Sequence, residues 1–162
     1  MSAFVGDSPQ NDDITILVIH YLATPVKQDR RLILHNDIQQ IPQLADFMET
    51  IAEEKGLDQS LCLSLNLALE EAVTNVILYA YPAGADGLVS IEAVLREHSL
   101  EFIITDSGVA FDPTAVPEAD TTLSAAERAI GGLGIHLVRQ IMDEVRYQRL
   151  DDNNILTLVK NI

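Results

Sequence analysis

From Gln59 to Tyr81 the chain reads as one long amphipathic helix, with Asp58 a fitting N-cap and Pro82 a stop. Leu65, Leu69, Ala72 and Val76 form the stripe that such a helix must bury, so the segment becomes the spine of any core built around it. Residues four apart on a helix lie about 40° apart around its axis, so the carboxylate of Glu71 and the amide of Asn75 project side by side. Both fall roughly 100° to 140° from the centre of the apolar stripe. A helix packed by that stripe therefore leaves the pair at the edge of the core, lining a cleft.

Three further features give the pair a chemical context. A carboxylate beside an amide can orient a nucleophile next to Mg²⁺, an ion that takes oxygen ligands and is satisfied by one Asn carbonyl plus substrate phosphates and water. Asp106 ends the apolar run LEFIIT and is followed by Ser107-Gly108, which puts a lone carboxylate where backbone can approach a flat ligand. An ionised carboxylate accepts from the six-amino group of adenine and repels the carbonyl of guanine. Gly131-Gly132-Leu133-Gly134 then opens an apolar helical segment, IHLVRQIM, whose free N–H groups and positive end suit phosphate. Each feature alone has a plainer reading: a solvated helix carboxylate, a hydrogen-bonded amide, a turn after a strand, a packing glycine cluster. Their order and spacing point jointly to an ATP site.

Around these features the pattern gives a strand over Arg30–Asn36, then an amphipathic helix over Ile41–Lys55 with Ile41, Leu44, Phe47, Met48 and Ile51 on one stripe, ended by Gly56. Strands are expected over Leu88–Arg96 and Ser99–Thr105, a helix over Gly134–Asp143, and a closing hairpin of Glu144–Leu150 with Ile155–Lys160 across Asp151-Asp152-Asn153-Asn154. Strands segregated from helices in this way predict an α+β sandwich, with helices on one face of a mostly antiparallel sheet. The polar stretch Thr114–Ile130 is long for a loop and fits a mobile lid over a nucleotide.

The 162 residues suit one core, and a net charge of −15 argues against nucleic acid and anionic membranes as partners. It also means that local dipoles, Mg²⁺ and a few cations must draw in an anionic ligand; Arg128, just before the glycines, is the nearest candidate, with a surface lid residue as the equal alternative. Cys62 is the single cysteine, expected as a buried thiol, and the histidines at 20, 35, 98 and 136 show no ligand spacing. With no signal-peptide pattern, a cytoplasmic location is expected.

The segments EEAVTNVILYAYP, DSGVAFDP and ERAIGGLGIHLVRQIMDEVRY resemble the N-box and the two glycine boxes of the gyrase, chaperone, histidine-kinase and mismatch-repair (GHKL) ATPase superfamily, in the form used by bacterial anti-sigma-factor serine kinases. The resemblance covers roughly residues 30 to 162 and implies a Bergerat-type two-layer sandwich on a mixed, mostly antiparallel sheet. It implies Glu71 as general base, Asn75 as Mg²⁺ ligand and Asp106 as adenine reader. It also implies Gly108 against the base, Gly132 and Gly134 against the phosphates, and Thr157 near the adenine pocket. Tyr79 departs from the pattern, since many relatives carry His there. The implied activity is ATP-dependent phosphorylation of a serine or threonine on an anti-sigma-factor antagonist, with a sigma factor as a further partner and a homodimer as the expected assembly. The alternative is a non-catalytic, nucleotide-gated module that regulates an attached serine phosphatase. FVGDSPQNDDITILVIHY resembles the C-terminal end of metal-dependent serine/threonine phosphatases. Residues 1–21 are accordingly expected to be a remnant of an upstream phosphatase domain, 22–29 a linker, and 30–162 the ATP-binding domain.

Overall fold

The computed structural model describes residues 27–115 and 132–162. The expectations for residues 1–21, for Arg128 and for most of the Thr114–Ile130 loop fall outside them.

Strand β1 (Lys27–His35) is followed by a short 3-10 turn, helix α1 (Gln43–Lys55) and helix α2 (Gln59–Tyr79). Next come β2 (Leu88–Leu95), β3 (Ser99–Asp106), helix α3 (Gly132–Ile141), β4 (Glu144–Leu150) and β5 (Asn153–Asn161). The strands form one sheet in the order β1-β2-β3-β5-β4, and every pairing among the described strands is antiparallel. This is the α+β architecture that the sequence pattern predicts.

The period-2 pattern of β3 turns Leu100, Phe102 and Ile104 inward and leaves Ser99, Glu101, Ile103 and Thr105 less buried on the other face. Leu34, Ile91, Leu156 and Leu158 join them from neighbouring strands, and Leu44, Met48, Ile51, Leu65, Leu69 and Val73 from α1 and α2 complete the core. By length and apolarity alone α2 could cross a membrane. Here its apolar stripe is buried in the core instead, and it packs between α1 and α3. Cys62 is part-buried against that core; burial pushes its thiol pKa up, and the charge of Glu49 adds to the effect.

The boundaries differ from the sequence expectation where local chemistry decides them. Helix α1 starts at Gln43, because Ile38–Gln40 forms a 3-10 turn capped by Asp37 and Pro42 has no N–H to spend in a preceding turn. Gly56 ends α1 at φ 65°, a left-handed cap that donates to Ala52 and Glu53. Helix α2 stops at Tyr79, and Tyr81 leaves it to become a clamp. Its hydroxyl donates to Leu88 O at 2.9 Å and accepts from Ser107 N at 3.2 Å, tying the start of β2 to the end of β3. The last hairpin turns on Asp151 and Asp152 alone, at φ 48° and 62°, a two-residue turn whose twist matches the flanking strands. Asn153 and Asn154, expected in the turn, are therefore strand residues.

Behind α3, Asp143 accepts from Asn161 N at 2.7 Å and from Lys160 Nζ at 3.1 Å, which together hold its carboxyl below the usual range, the backbone bond first. The stability it adds is present above the pKa of a free aspartate and is lost as pH falls through its lowered value.

The side chain of Asp58 accepts from Leu61 N at 2.9 Å and starts the helix that carries Glu71 and Asn75. Asp58→Ala should cost about 1 kcal/mol in urea denaturation. Because the cap lies more than three turns from Glu71, ligand affinity of the folded fraction should not change; a loss of affinity without loss of stability would contradict this separation.

Candidate functional site

At the middle of α2 the two neighbouring carboxylates have different fates. Glu70 accepts from Asn66 Nδ2 at 2.8 Å, whereas the side chains of Glu71 and Asn75 make no hydrogen bond to any described residue. Both side chains point at the first turn of α3. A Cβ placed on Gly134 would overlap Glu71 Oε2 and come within 3.3 Å of Asn75 Nδ2. Helix α3 begins at Gly132, two residues earlier than expected, so Gly132 and Gly134 both lie inside its first turn. That turn carries N–H groups with no helical partner and the positive end of the helix dipole. One corner of the molecule thus holds a free carboxylate, a free amide and an anion-attracting helix end.

The second half of the site lies past the end of α2. Gly108 sits against Ala80, the cap residue of that helix: a Cβ on it would overlap Ala80 O and fall within 2.6 Å of Ala80 Cβ, and Val109 N donates to Ala80 O at 2.8 Å. This places Gly108 about 7.5 Å farther along the helix than Asn75, from five residues of rise, with Asp106 two residues before it at the end of β3. Asp106 occupies the last inward position of β3, where Leu100, Phe102 and Ile104 set the row, and it is only 5% exposed. Its Oδ1 accepts from Gly108 N at 2.8 Å and from Asn154 Nδ2 at 2.9 Å; its Oδ2 has no partner among the described residues. A buried carboxylate with one oxygen saturated and one unspent is a receptor for a donor.

Glu71, Asn75, Gly134, Asp106 and Gly108 are therefore arrayed along one helix. Gly132 has its backbone in the α3 turn, and Arg128 lies outside the described residues. Thr157 is not brought to this group. It pairs with Ile103 and Arg146 on the opposite face of the sheet, one parity step from Leu156 and Leu158, whereas Asp106 and Asn154 share the helix-covered face. Tyr79 is exposed at the end of α2.

Three residues near the site were missed in the sequence. Asn154 was hidden in a run of turn-formers. Arg149, opposite it on β4, donates through Nη1 to Gly108 O at 3.1 Å and to Asn154 Oδ1 at 2.8 Å. Arg139 of α3 donates through Nη2 to Pro113 O at 3.2 Å and Thr114 O at 2.6 Å, tying that helix to the segment after the first glycine box. No spacing rule singles out either arginine. Among the described residues no cluster of His, Cys, Asp or Glu could hold a metal by itself. Asn75 with an unspent amide beside Glu71 fits an ion whose other ligands come with the substrate.

The pattern of the histidine kinase-like ATPase domain matches residues 34–160 of this chain, and the site just described falls within it. The chain belongs to that family. Among curated relatives it is 31% identical over 100 residues to the serine-protein kinase RsbW of Listeria monocytogenes, covering 59% of this chain and 64% of that protein. It is 32% identical over 114 residues to RsbW of Bacillus licheniformis, covering 68% of this chain and 71% of the relative. The serine/threonine-protein kinase BtrW of Bordetella bronchiseptica is 29% identical over 115 residues, 71% of this chain and 81% of the relative. The histidine kinase domain of the blue-light activated kinase of Erythrobacter litoralis aligns over 74% of this chain and 59% of its own at 15% identity, with a TM-score of 0.48.

The Gly134 contact separates folding from function. A methyl group there meets the flexible end of Glu71 and, less closely, the amide of Asn75, and alanine favours a helix over glycine by about 1 kcal/mol. Gly134→Ala should therefore fold at least as well as the parent. If Glu71 serves as the base that the family resemblance implies, displacing its carboxylate should lower ATP turnover, by about 100-fold for a misplacement near 1 Å. Unchanged turnover would show that the approach of α3 to Glu71 has no catalytic role.

Proposed function

We propose that this chain binds Mg·ATP and transfers the γ-phosphoryl group to a serine or threonine hydroxyl on a protein, an antagonist of an anti-sigma factor. The observation that carries the reading is the unspent set along α2, Glu71 and Asn75 facing the α3 N-terminus with the free Oδ2 of Asp106 beyond the helix end. The kinase names of the RsbW and BtrW relatives support the reaction class. A sigma factor as second partner and a homodimer belong to the same reading.

In this mechanism the six-amino group of adenine donates a hydrogen bond to Asp106, and the triphosphate runs along α2 toward the first turn of α3. Asn75 would hold Mg²⁺, which when bound offsets charge on the phosphates. Phosphoryl transfer needs mainly positioning and charge neutralisation. The hydroxyl oxygen of the acceptor bonds to the γ-phosphorus, the bond from that phosphorus to the β–γ bridging oxygen breaks, ADP leaves, and Glu71 takes the hydroxyl proton late in the step. The N–H groups and dipole of α3 favour the phosphate end despite the net charge of −15.

The assignments separate in calorimetry and in a radiolabel transfer assay with small antagonist proteins of the host. Glu71→Ala should keep nucleotide binding and lose about 10²- to 10⁴-fold in transfer, toward the low end for a loose transition state. Asn75→Ala should lose Mg²⁺-dependent binding as well. Full phosphorylation of the antagonist by the Glu71→Ala protein would refute the base assignment. ATP should be preferred to GTP by about 1 to 3 kcal/mol, the cost of a mismatched buried polar pair, and equal affinity for the two would refute Asp106 as adenine reader.

A further inference from the structure

We propose that Asn154 is a positioning residue for purine selection: it locks the Asp106 carboxylate so that one oxygen alone is offered to the base. The proposal rests on the reading of Asp106 as the group that meets adenine.

Asn154 stands directly opposite Asp106 in the β3–β5 register and opposite Arg149 in the β4–β5 register. Its side chain is 6% exposed, in a strand whose next inward residues are Leu156 and Leu158. An apolar residue would continue that row at no desolvation cost, so a buried amide calls for a reason. All four hydrogen-bonding capacities of the amide are in use. Nδ2 donates to Asp106 Oδ1 at 2.9 Å and to Val109 O at 3.0 Å, while Oδ1 accepts from Tyr147 Oη at 2.8 Å and from Arg149 Nη1 at 2.8 Å. The two donors are held by β4, and the two acceptors lie at the end of β3 and just beyond it. Reversing the amide would set its oxygen against a carboxylate and a carbonyl and its NH₂ against a guanidinium, so a single orientation survives.

That orientation propagates to Asp106. Oδ1 is pinned from two sides, by Asn154 and by Gly108 N, so the carboxylate cannot rotate to exchange its oxygens. Oδ2 is left as the unspent acceptor of a buried carboxylate, and an acceptor there takes a purine that brings a donor and rejects one that brings a carbonyl. Asn154 touches no base in this arrangement. Its effect on selection passes through Asp106, and the Tyr147 and Arg149 contacts extend the same lock to the edge strand.

The test is calorimetry of the whole chain with Mg·ATP and Mg·ITP, the second nucleotide carrying a carbonyl in place of the six-amino group. Asn154→Ala should weaken ATP about fivefold, the worth of one ordinary hydrogen bond, and leave ITP within about twofold, so that the ATP:ITP ratio falls. Tyr147→Phe, which removes one of the two donors holding the amide, should lower the ratio by about twofold and decides the matter if Asn154→Ala does not fold. Equal losses for both nucleotides, or an unchanged ratio in the folded variants, would overturn the positioning role. Asp106→Asn tells the two levels apart. If it leaves the preference of the parent protein intact, the adenine-reader assignment fails; if it abolishes the preference while the Asn154 and Tyr147 variants keep it, only the lock fails.

Discussion

Two backbone approaches to α2 made without an intervening side chain set the geometry of everything else in the site. Gly134 brings α3 down onto Glu71 and Asn75, and Gly108 brings the end of β3 onto Ala80. The penalties for a side chain at these places differ in kind. At Gly108 the obstacle is backbone, which can yield only if β3 and α2 move apart; at Gly134 it is the tip of a glutamate, which can swing away. The first glycine is thus tied to the fold and the second to the position of a functional group. Because one rigid helix receives both approaches, the carboxylate at its middle and the carboxylate beyond its end keep a fixed spacing.

What could be read in the sequence followed from periodicities that tertiary context does not override. The helical stripe of α2 is strong enough to fix which way Glu71 and Asn75 face, and alternation along LEFIIT places Asp106 inward. Turn length was not legible. Asp151-Asp152-Asn153-Asn154 are all good turn residues, and only the left-handed conformation of the first two shows where the chain reverses. Placing the turn across all four hid Asn154 inside it. Thr157 fails for a related reason: a residue three beyond Asn154 on a strand has the opposite parity, so the two cannot serve the same face. The contribution of Tyr81 was equally hidden, because its role begins where the helix ends and depends on β2 and β3 arriving beside it.

The charge distribution shows why a strongly acidic chain can still offer an anion site. Two of the basic side chains in the described residues, Arg96 and Arg146, are spent on the sheet's outer face, where both grip Glu101 at 2.9 Å. Such partly exposed pairs contribute little to stability, but they leave few cations for ligand binding. On the proposed reading, attraction of phosphate at the α2–α3 corner would fall instead to backbone dipoles, which cost no net charge. The arginines that do stand near the site, Arg139 and Arg149, donate to backbone carbonyls and to Asn154. They act there as braces, holding the segments that flank the glycine boxes.

The end of the sheet applies the same economy to specificity. Across the helix-covered face the cross-strand row runs Leu34, Val89, Asp106, Asn154, Arg149, changing from apolar to charged within one register line. A buried carboxylate is tolerable when hydrogen bonds replace its water, yet every bond that stabilises it also consumes an acceptor site. Here the compensation is confined to one oxygen, and the donors come from a backbone N–H and an amide that is itself saturated. Had both oxygens been satisfied internally, Asp106 would be a structural residue; had neither been, its orientation would be free. If Asp106 meets a base as proposed, this division between a pinned oxygen and an open one would let a single buried carboxylate distinguish a donor from an acceptor.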